Sequence, residues 1–450
     1  MTLQECVRIA LDNNLTVKRS VYNVETNRIN FLSAKGNFLP TLTLSTSGSQ
    51  NYGRALNPVT NQFIPNSITR TLNPSLQGQF LIFNGLRNQY TYRQNKNSLT
   101  AADLDLEKAK NDVIITVVTN YTNVILNKEL FENSKFQLNS SQKQLERIKK
   151  QVEAGALPKS NELTQEATVA TNETNVITQE NAYNLSILQL KQSMQVPAST
   201  QIEIVIPAIT LEDLTINQTP EEIYDISTKT LPQVKSALLK VEAAQYAVRS
   251  ARAAYYPRLG LNYGAVSNYS TASDKHAILD GTYSTNYQGF VKNSGDSVFK
   301  KSPNYQIYNG GYDVSHQLSD NLYKQVGLSL SIPILNGLQT RTNIKQAIIN
   351  QELANITVKE TENTLRQSIE TAYNNALAAA KTYTAALKQV SANEEAFRMT
   401  QQRHEAGAAT YIEYQVASND LFSAKSSLAR AKYNFILTKK ILDFYQGKTI

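Results

Sequence analysis

Asn84-Gly85-Leu86 opens a stretch that runs to Glu153-Ala154-Gly155-Ala156, and Asn336-Gly337-Leu338 opens another that runs to Glu405-Ala406-Gly407-Ala408. Between its two glycines neither stretch contains Gly or Pro, and in both the glycines stand 70 positions apart. With 17 Gly and 12 Pro among 450 residues, one such gap arises by chance roughly one time in a hundred. Two matched gaps therefore read as two unbroken helices and an internal duplication. At about 1.5 Å rise per residue, each helix is a rod of roughly 100 Å.

A rod that long must bury an apolar stripe against other helices, because helix propensity alone stabilises it little. In the second rod Leu365, Ile369, Ala372, Ala376, Ala379, Tyr383, Ala386 and Val390 alternate steps of three and four, which is coiled-coil spacing. The first rod repeats it less strictly with Leu138, Leu145, Ile148 and Val152. Shorter helical patterns, about 3–36 with 160–195 and 220–256 with 411–446, supply the partners.

Between the helices the period changes to two. Leu42 and Leu44 alternate with Thr41, Thr43 and Ser45, and Leu76, Gly78, Phe80 and Ile82 alternate with Gln77 and Gln79. The second repeat has Leu259, Leu261, Tyr263 and Ala265 going out and Val326, Leu328, Leu330, Ile332 and Ile334 returning. Each repeat is thus expected to hold one hairpin, about 40–84 and 257–336, with Pro40 and Pro257 at the strand starts and Pro333 and the Asn-Gly-Leu turns at the exits. Strands of about nine to ten residues with one apolar face suit a bilayer crossed at a tilt. Four such strands cannot close a barrel of useful bore, so several chains must contribute.

The repeats align at an offset of 217 before the hairpins (Val17, Lys18, Glu25 and Pro40 with Val234, Lys235, Glu242 and Pro257) and of 252 after them (Asn84, Gly85, Tyr121 and Gly155 with Asn336, Gly337, Tyr373 and Gly407). The second hairpin is 35 residues longer, the difference 252 − 217, and its extra part, roughly Thr271 to Tyr323, reads as a long exposed loop. Ten tyrosines lie between Tyr255 and Tyr323; interfacial girdles and packing within the loop both account for them. The parts are a first repeat (1–196), a linker (197–219) with Ile202, Ile204 and Ile206 alternating like a short strand, and a second repeat (220–450).

Composition sets outer bounds. Mean hydropathy is −0.38 and no apolar run of about 18 residues occurs, which excludes a transmembrane helix but not a barrel. The net charge of +8 is read as solvated helix faces rather than a nucleic-acid surface. Cys6 stands alone in a helical pattern and cannot form an internal disulfide. The chain opens in that helix with no charged or apolar leader pattern, as expected if an export signal has been removed. His276, His316 and His404 lie far apart, no metal-ligand or Ser/His/Asp spacing occurs, and neither an enzyme nor a cofactor is expected.

Helix, hairpin, long helix, glycine turn and helix, repeated once, resemble the TolC family of outer-membrane efflux proteins over essentially the whole chain. Phe38-Leu39-Pro40 with Tyr255-Tyr256-Pro257, Phe83-Asn84-Gly85 with Leu335-Asn336-Gly337, and Gly155 with Gly407 carry the likeness. The resemblance implies a mostly helical fold with a transmembrane β-barrel portion: a homotrimer with a twelve-stranded barrel in outer-membrane lipid and a twelve-helix coiled-coil tunnel in the periplasm. It further implies a passive exit duct served by a periplasmic adaptor and, through it, an inner-membrane transporter, with linker 197–219 and the residues after Gln446 in an equatorial belt.

By the same resemblance Glu153, Gly155, Ala156, Leu157 and Pro158, and Glu405, Gly407, Ala408 and Thr410, form tips that dock the adaptor; the family commonly has a larger aliphatic residue where Ala156 and Ala408 stand. Glu413 falls where the family often has an aspartate facing the closed pore, with Asn161 equivalent in the first repeat and Tyr411 and Tyr414 beside it. The family's second acid is Val416 here. Glu413 also reads as an ordinary acid at a helix start, favoured by the macrodipole. An elongated coiled-coil or filament-forming surface protein is the alternative of a different class.

Overall fold

The computed structural model describes residues 1–56, 63–205, 216, 218–273, 275–309 and 313–448. The first repeat comprises α1 (Leu3–Asn13), α2 (Leu15–Gly36), β1 (Thr41–Leu56), β2 (Phe63–Phe83), α3 (Arg87–Glu153) and α4 (Lys159–Ser193). The second comprises α5 (Pro220–Thr230), α6 (Pro232–Arg252), β3 (Arg258–Val266), β4 (Tyr269–Ser270), β5 (Lys275–Phe290), β6 (Ser297–Asn309), α7 (Val314–Asp320), β7 (Tyr323–Ser331), α8 (Gln339–Glu405) and α9 (Tyr411–Tyr445). Both long helices have 67 residues, both hairpin partners α4 and α9 have 35, and α1 and α5 each have 11. Both repeats run through two compact units, a helical one (1–31, 93–246, 347–450) and a sheet-bearing one (32–92, 247–346).

The helical unit contains the same core twice. Cys6, Val17, Val113, Val117, Val124 and Leu190 are buried together, and Ile223, Val234, Leu365, Ile369, Ala376 and Leu442 are buried at the aligned positions. Cys6 therefore fills a site where the other repeat has Ile223, as a small apolar residue. The aromatic stack Phe131–Tyr183, centroids 6.2 Å apart, recurs as Tyr383–Phe435 at 6.1 Å. The expected stripe of the second rod is the buried one, with Tyr383 packed at its edge.

Three expectations are corrected here. Segments 3–36 and 220–256 are not continuous helices. Each is broken at an aligned position, Asn14 (φ −60°, ψ 125°) and Leu231 (φ −79°, ψ 141°). Leu231 precedes Pro232, which disfavours helical backbone; the Asn14 side chain accepts the Thr16 N–H at 2.8 Å and so starts α2. Capping boxes Thr2/Glu5 and Thr219/Glu222 open the short helices at the same offset. In the first rod Leu138, Leu145 and Val152 are only half-buried, while Ser134, Gln137, Ser141, Gln144 and Ile148 fill the seam. This seam is polar: buried Gln165 of α4 donates to the Ser141 carbonyl at 2.7 Å, and Gln137 to Asn419 at 3.3 Å. The segment of the linker that holds Ile202 and Ile204, 201–205, is not a strand; Ile204 is buried in the first core, and Val205 N–H bonds the Met1 carbonyl at 3.1 Å. Ile206 and most of the remaining linker lie outside the described residues, as do Tyr312 and the last two of the C-terminal residues assigned to the belt.

In the sheet unit the strand order is β1-β2-β3-β7, antiparallel throughout. Both hairpins share one register: Thr41 faces Gln79 and, at the aligned positions, Arg258 faces Ser331. Strands β3 and β7 have the expected nine residues, whereas β1 and β2 reach 16 and 21. β7 stops at Ser331, so Ile332 and Ile334 are outside it, as Pro333 dictates by removing a ladder donor. The segment expected to be a long loop contains a second antiparallel sheet, β5 with β6, and α7, capped by Asp313.

Candidate functional site

The helix turns at Gly155 and Gly407 are built alike. Each glycine has φ +75°, and each turn carries the two hydrogen bonds of a Schellman motif: Gly155 N to the Val152 carbonyl (2.9 Å) with Ala156 N to Gln151 (2.8 Å), and Gly407 N to His404 (3.0 Å) with Ala408 N to Arg403 (2.7 Å). Glu153, Ala156 and Pro158 are exposed in the first turn with Leu157 half-buried; Glu405, Ala408 and Thr410 are exposed in the second.

The helices that follow start differently. Pro158 caps α4 without a side-chain bond, and Asn161 is half-buried in its first turn. Thr410 caps α9 in a capping box, with the exposed Glu413 carboxylate accepting the Thr410 N–H at 2.7 Å and its hydroxyl at 2.9 Å. The Thr410 backbone bond, then the hydroxyl bond, hold the Glu413 carboxyl below its ordinary value of 4.5. Its contribution to the cap is therefore full above pH 4.5 and is lost as pH falls through the lowered value. Protease protection of the turn should fall in acid for the native chain, and this acid-dependent part should vanish in Glu413→Gln; identical pH profiles would contradict the assignment.

Tyr411 and Tyr414 are half-buried. Burial pushes Tyr411 up to about 12, and its hydroxyl donates to Gln415 at 2.9 Å. Tyr414 stacks on His404 (5.2 Å) and packs against Phe397 (5.6 Å). His404 is thus a brace: its ring also meets the Ala409 carbonyl at 3.0 Å. In the first repeat the position aligned with Tyr414 is Glu162, which is buried beside Lys159 at 2.7 Å. No sequence pattern marks either contact, because both depend on which helix face the turn presents.

The strand-to-helix turns are also duplicated. Gly85 and Leu86 have φ of +69° and +67°, Gly337 and Leu338 of +61° and +68°. Asn84 donates to Asn88 at 2.8 Å, and Asn336 donates to Thr340 at the aligned positions. They differ in surroundings. A Cβ on Gly85 would lie 2.7 Å from the Ala253 carbonyl and from Tyr256 Cβ, next to Pro257, whereas one on Gly337 would meet nothing within 4 Å.

The sheet, in which the two-residue β4 also pairs with β2 beyond the end of β3, has two unlike faces on its four long strands. Leu42, Leu44, Val326, Leu328 and Leu330 are exposed on one. Thr43, Ser45, Gln77, Asn262, Gln325 and Ser329 occupy the other. Apolar area exposed in this way needs a non-aqueous surface, and both edges, β1 and β7, lack a strand partner among the described residues. No helix among them is long and apolar enough to cross a membrane.

A sequence profile of the outer membrane efflux protein family matches residues 6–194 and 224–447. The chain belongs to that family. Among relatives, the solvent efflux pump outer membrane protein SrpC of Pseudomonas putida is 24% identical over 441 residues, 93% of this chain and 79% of that protein. The alkaline protease secretion protein AprF of Pseudomonas aeruginosa is 22% identical over 364 residues, 79% of this chain and 66% of AprF. Among solved structures, VceC of Vibrio cholerae superposes with a TM-score of 0.77 at 15% identity, covering 99% of this chain and 96% of that one. This efflux-family member accordingly has the TolC-like channel fold, a long-helix portion and a β portion, and belongs in the outer membrane as a channel rather than an enzyme. The filament alternative falls away.

Proposed function

We propose that three copies of this chain close into a passive exit duct, fed by a periplasmic adaptor and an inner-membrane transporter. The difference between Gly85 and Gly337 carries the reading. Gly85 is pressed against Ala253 and Tyr256 of the second repeat; by the duplication, Gly337 is left open for Gly36 and Leu39 of a neighbouring protomer. The same rule pairs β7 with the neighbour's β1, so each sheet edge is consumed and three four-stranded sheets make a closed barrel. The apolar face meets lipid and the polar face lines the lumen.

The two Schellman turns are the adaptor-docking tips. Glu413, with Asn161, Tyr411 and Tyr414, surrounds the narrow end, where three carboxylates about a threefold axis favour cations. The polar α3–α4 seam suits helices that must shift there, since it gains less from close packing than the apolar seam of the second rod. Purification in mild detergent tests the reading: threefold particles of about 150 kDa support it, and a detergent-free soluble monomer contradicts it.

A further inference from the structure

On the polar face of the sheet, where the strands give way to helices, lies a cavity of about 600 Å³ lined by Arg87, Arg258, Asn84, Asn88, Gln79 and Ser331 among others. Neither guanidinium has an ion-pair or hydrogen-bond partner among the described residues. Partners are scarce for a reason visible in the composition. Residues 26–102, 243–273 and 321–351 contain thirteen Lys and Arg and not one Asp or Glu, and the sheet unit as a whole has fourteen Lys and Arg against five Asp, all within 274–320, so the net charge of +8 conceals a basic sheet unit and a net acidic remainder. Among the residues with a register partner on the four strands, Arg258 is the only charged one on the polar face, alongside Gln77, Gln79, Asn262, Gly260 and Ser329. The aligned positions in the other repeat are neutral, Thr41 for Arg258 and Gln339 for Arg87.

We infer that this cavity is an oxyanion-binding site, and that the duct carries a cationic ring at this level that favours anionic cargo groups such as phosphate, sulfate or carboxylate. The inference rests on the trimeric duct proposed above. Two guanidiniums offer fork-shaped donor sets that match the paired oxygens of such groups, and the surrounding amides add neutral donors. With no carboxylate paired to either of them among the described residues, their field is felt across the lumen. Three protomers place six guanidiniums at one level, in three cationic cavities alternating with three neutral ones.

The test uses the purified trimer in a planar bilayer under a potassium chloride gradient, with sodium tripolyphosphate then added on the barrel side. The double variant R87Q/R258T installs the residues the other repeat already carries, so the local fold tolerates them; R258T alone serves if the double variant assembles poorly. R341Q, which removes a basic residue that does not line the cavity, is the control. The ratio of chloride to potassium permeability is expected to fall about threefold in the double variant, and the tripolyphosphate needed for half-block to rise about tenfold, with R341Q unchanged. A variant that conducts with native selectivity and native block overturns the site while leaving the duct standing. Absence of step currents from the native protein would instead contradict the duct itself.

Discussion

Gly85→Ala is expected to destabilise the protomer by about 3 kcal/mol or more, while Gly337→Ala costs the isolated protomer only about 1 kcal/mol and loosens the trimer. Both glycines occupy left-handed backbone, at φ +69° and +61°, so both substitutions carry conformational strain. Only at Gly85 does the new methyl meet other atoms of the same chain, with the Ala253 carbonyl and Tyr256 Cβ each 2.7 Å away. At Gly337 the chain itself offers no obstructing atom; in the proposed trimer the neighbour supplies it, so the damage is expected in assembly. Thermal unfolding in detergent together with the persistence of trimers on mildly denaturing gels separates the two. Native trimer stability in Gly337→Ala would mean that no neighbour fills that turn.

The second large effect is at Ile369. It is fully buried between Leu365 and Ala372 in the second core. Ile369→Ala deletes methyl groups from a packed seam and is expected to cost about 2–5 kcal/mol. Ser141→Ala, in the polar seam of the first rod, is expected to cost under about 1 kcal/mol, because its hydroxyl bonds only the Leu138 carbonyl of its own helix. Detergent melting midpoints should therefore drop sharply for the first and little for the second. Equal drops would contradict a polar seam that contributes little.

The contrast between these seams shows where the sequence is legible. Leu365 to Val390 announces its buried face because apolar residues recur at steps of three and four. Ser134 to Gln144 does not, since burial there is settled by α4 and α9, and Gln165 is recognisable as a core residue only once it reaches the Ser141 carbonyl. Glycine-free length alone gave both 67-residue helices, and the offsets 217 and 252 carry over to the cores, the hairpin registers and the turns. The breaks at Asn14 and Leu231 carried local signals, a cap-forming Asn and Pro232, that a long amphipathic pattern overshadows. β5 and β6 sit in a Tyr-, Ser- and Asn-rich segment whose pairing is broken by bulges, which hides the period of two. At the tips, glycine placement was legible, whereas the His404–Tyr414 brace and the burial of Glu162 depend on helix rotation about the turn. Arg87 and Arg258 were findable from the missing carboxylates around them, a signal of composition by region.

Trimer closure can be tested at the level of single residues. Within the chain Gln77 of β2 faces Gly264 of β3; the offsets move this pair to Ser329 of β7 and Ser47 of the neighbour's β1. Facing residues on antiparallel strands stand about 4.5–5.5 Å apart at Cα, within reach of a disulfide, and native Cys6 is fully buried and does not compete. Mild oxidation of the Ser47→Cys/Ser329→Cys protein in detergent should therefore give a reducible covalent trimer of about 150 kDa that advances no further. A product that stays monomeric, or a ladder that continues past three, would contradict a barrel closed by three copies of this chain.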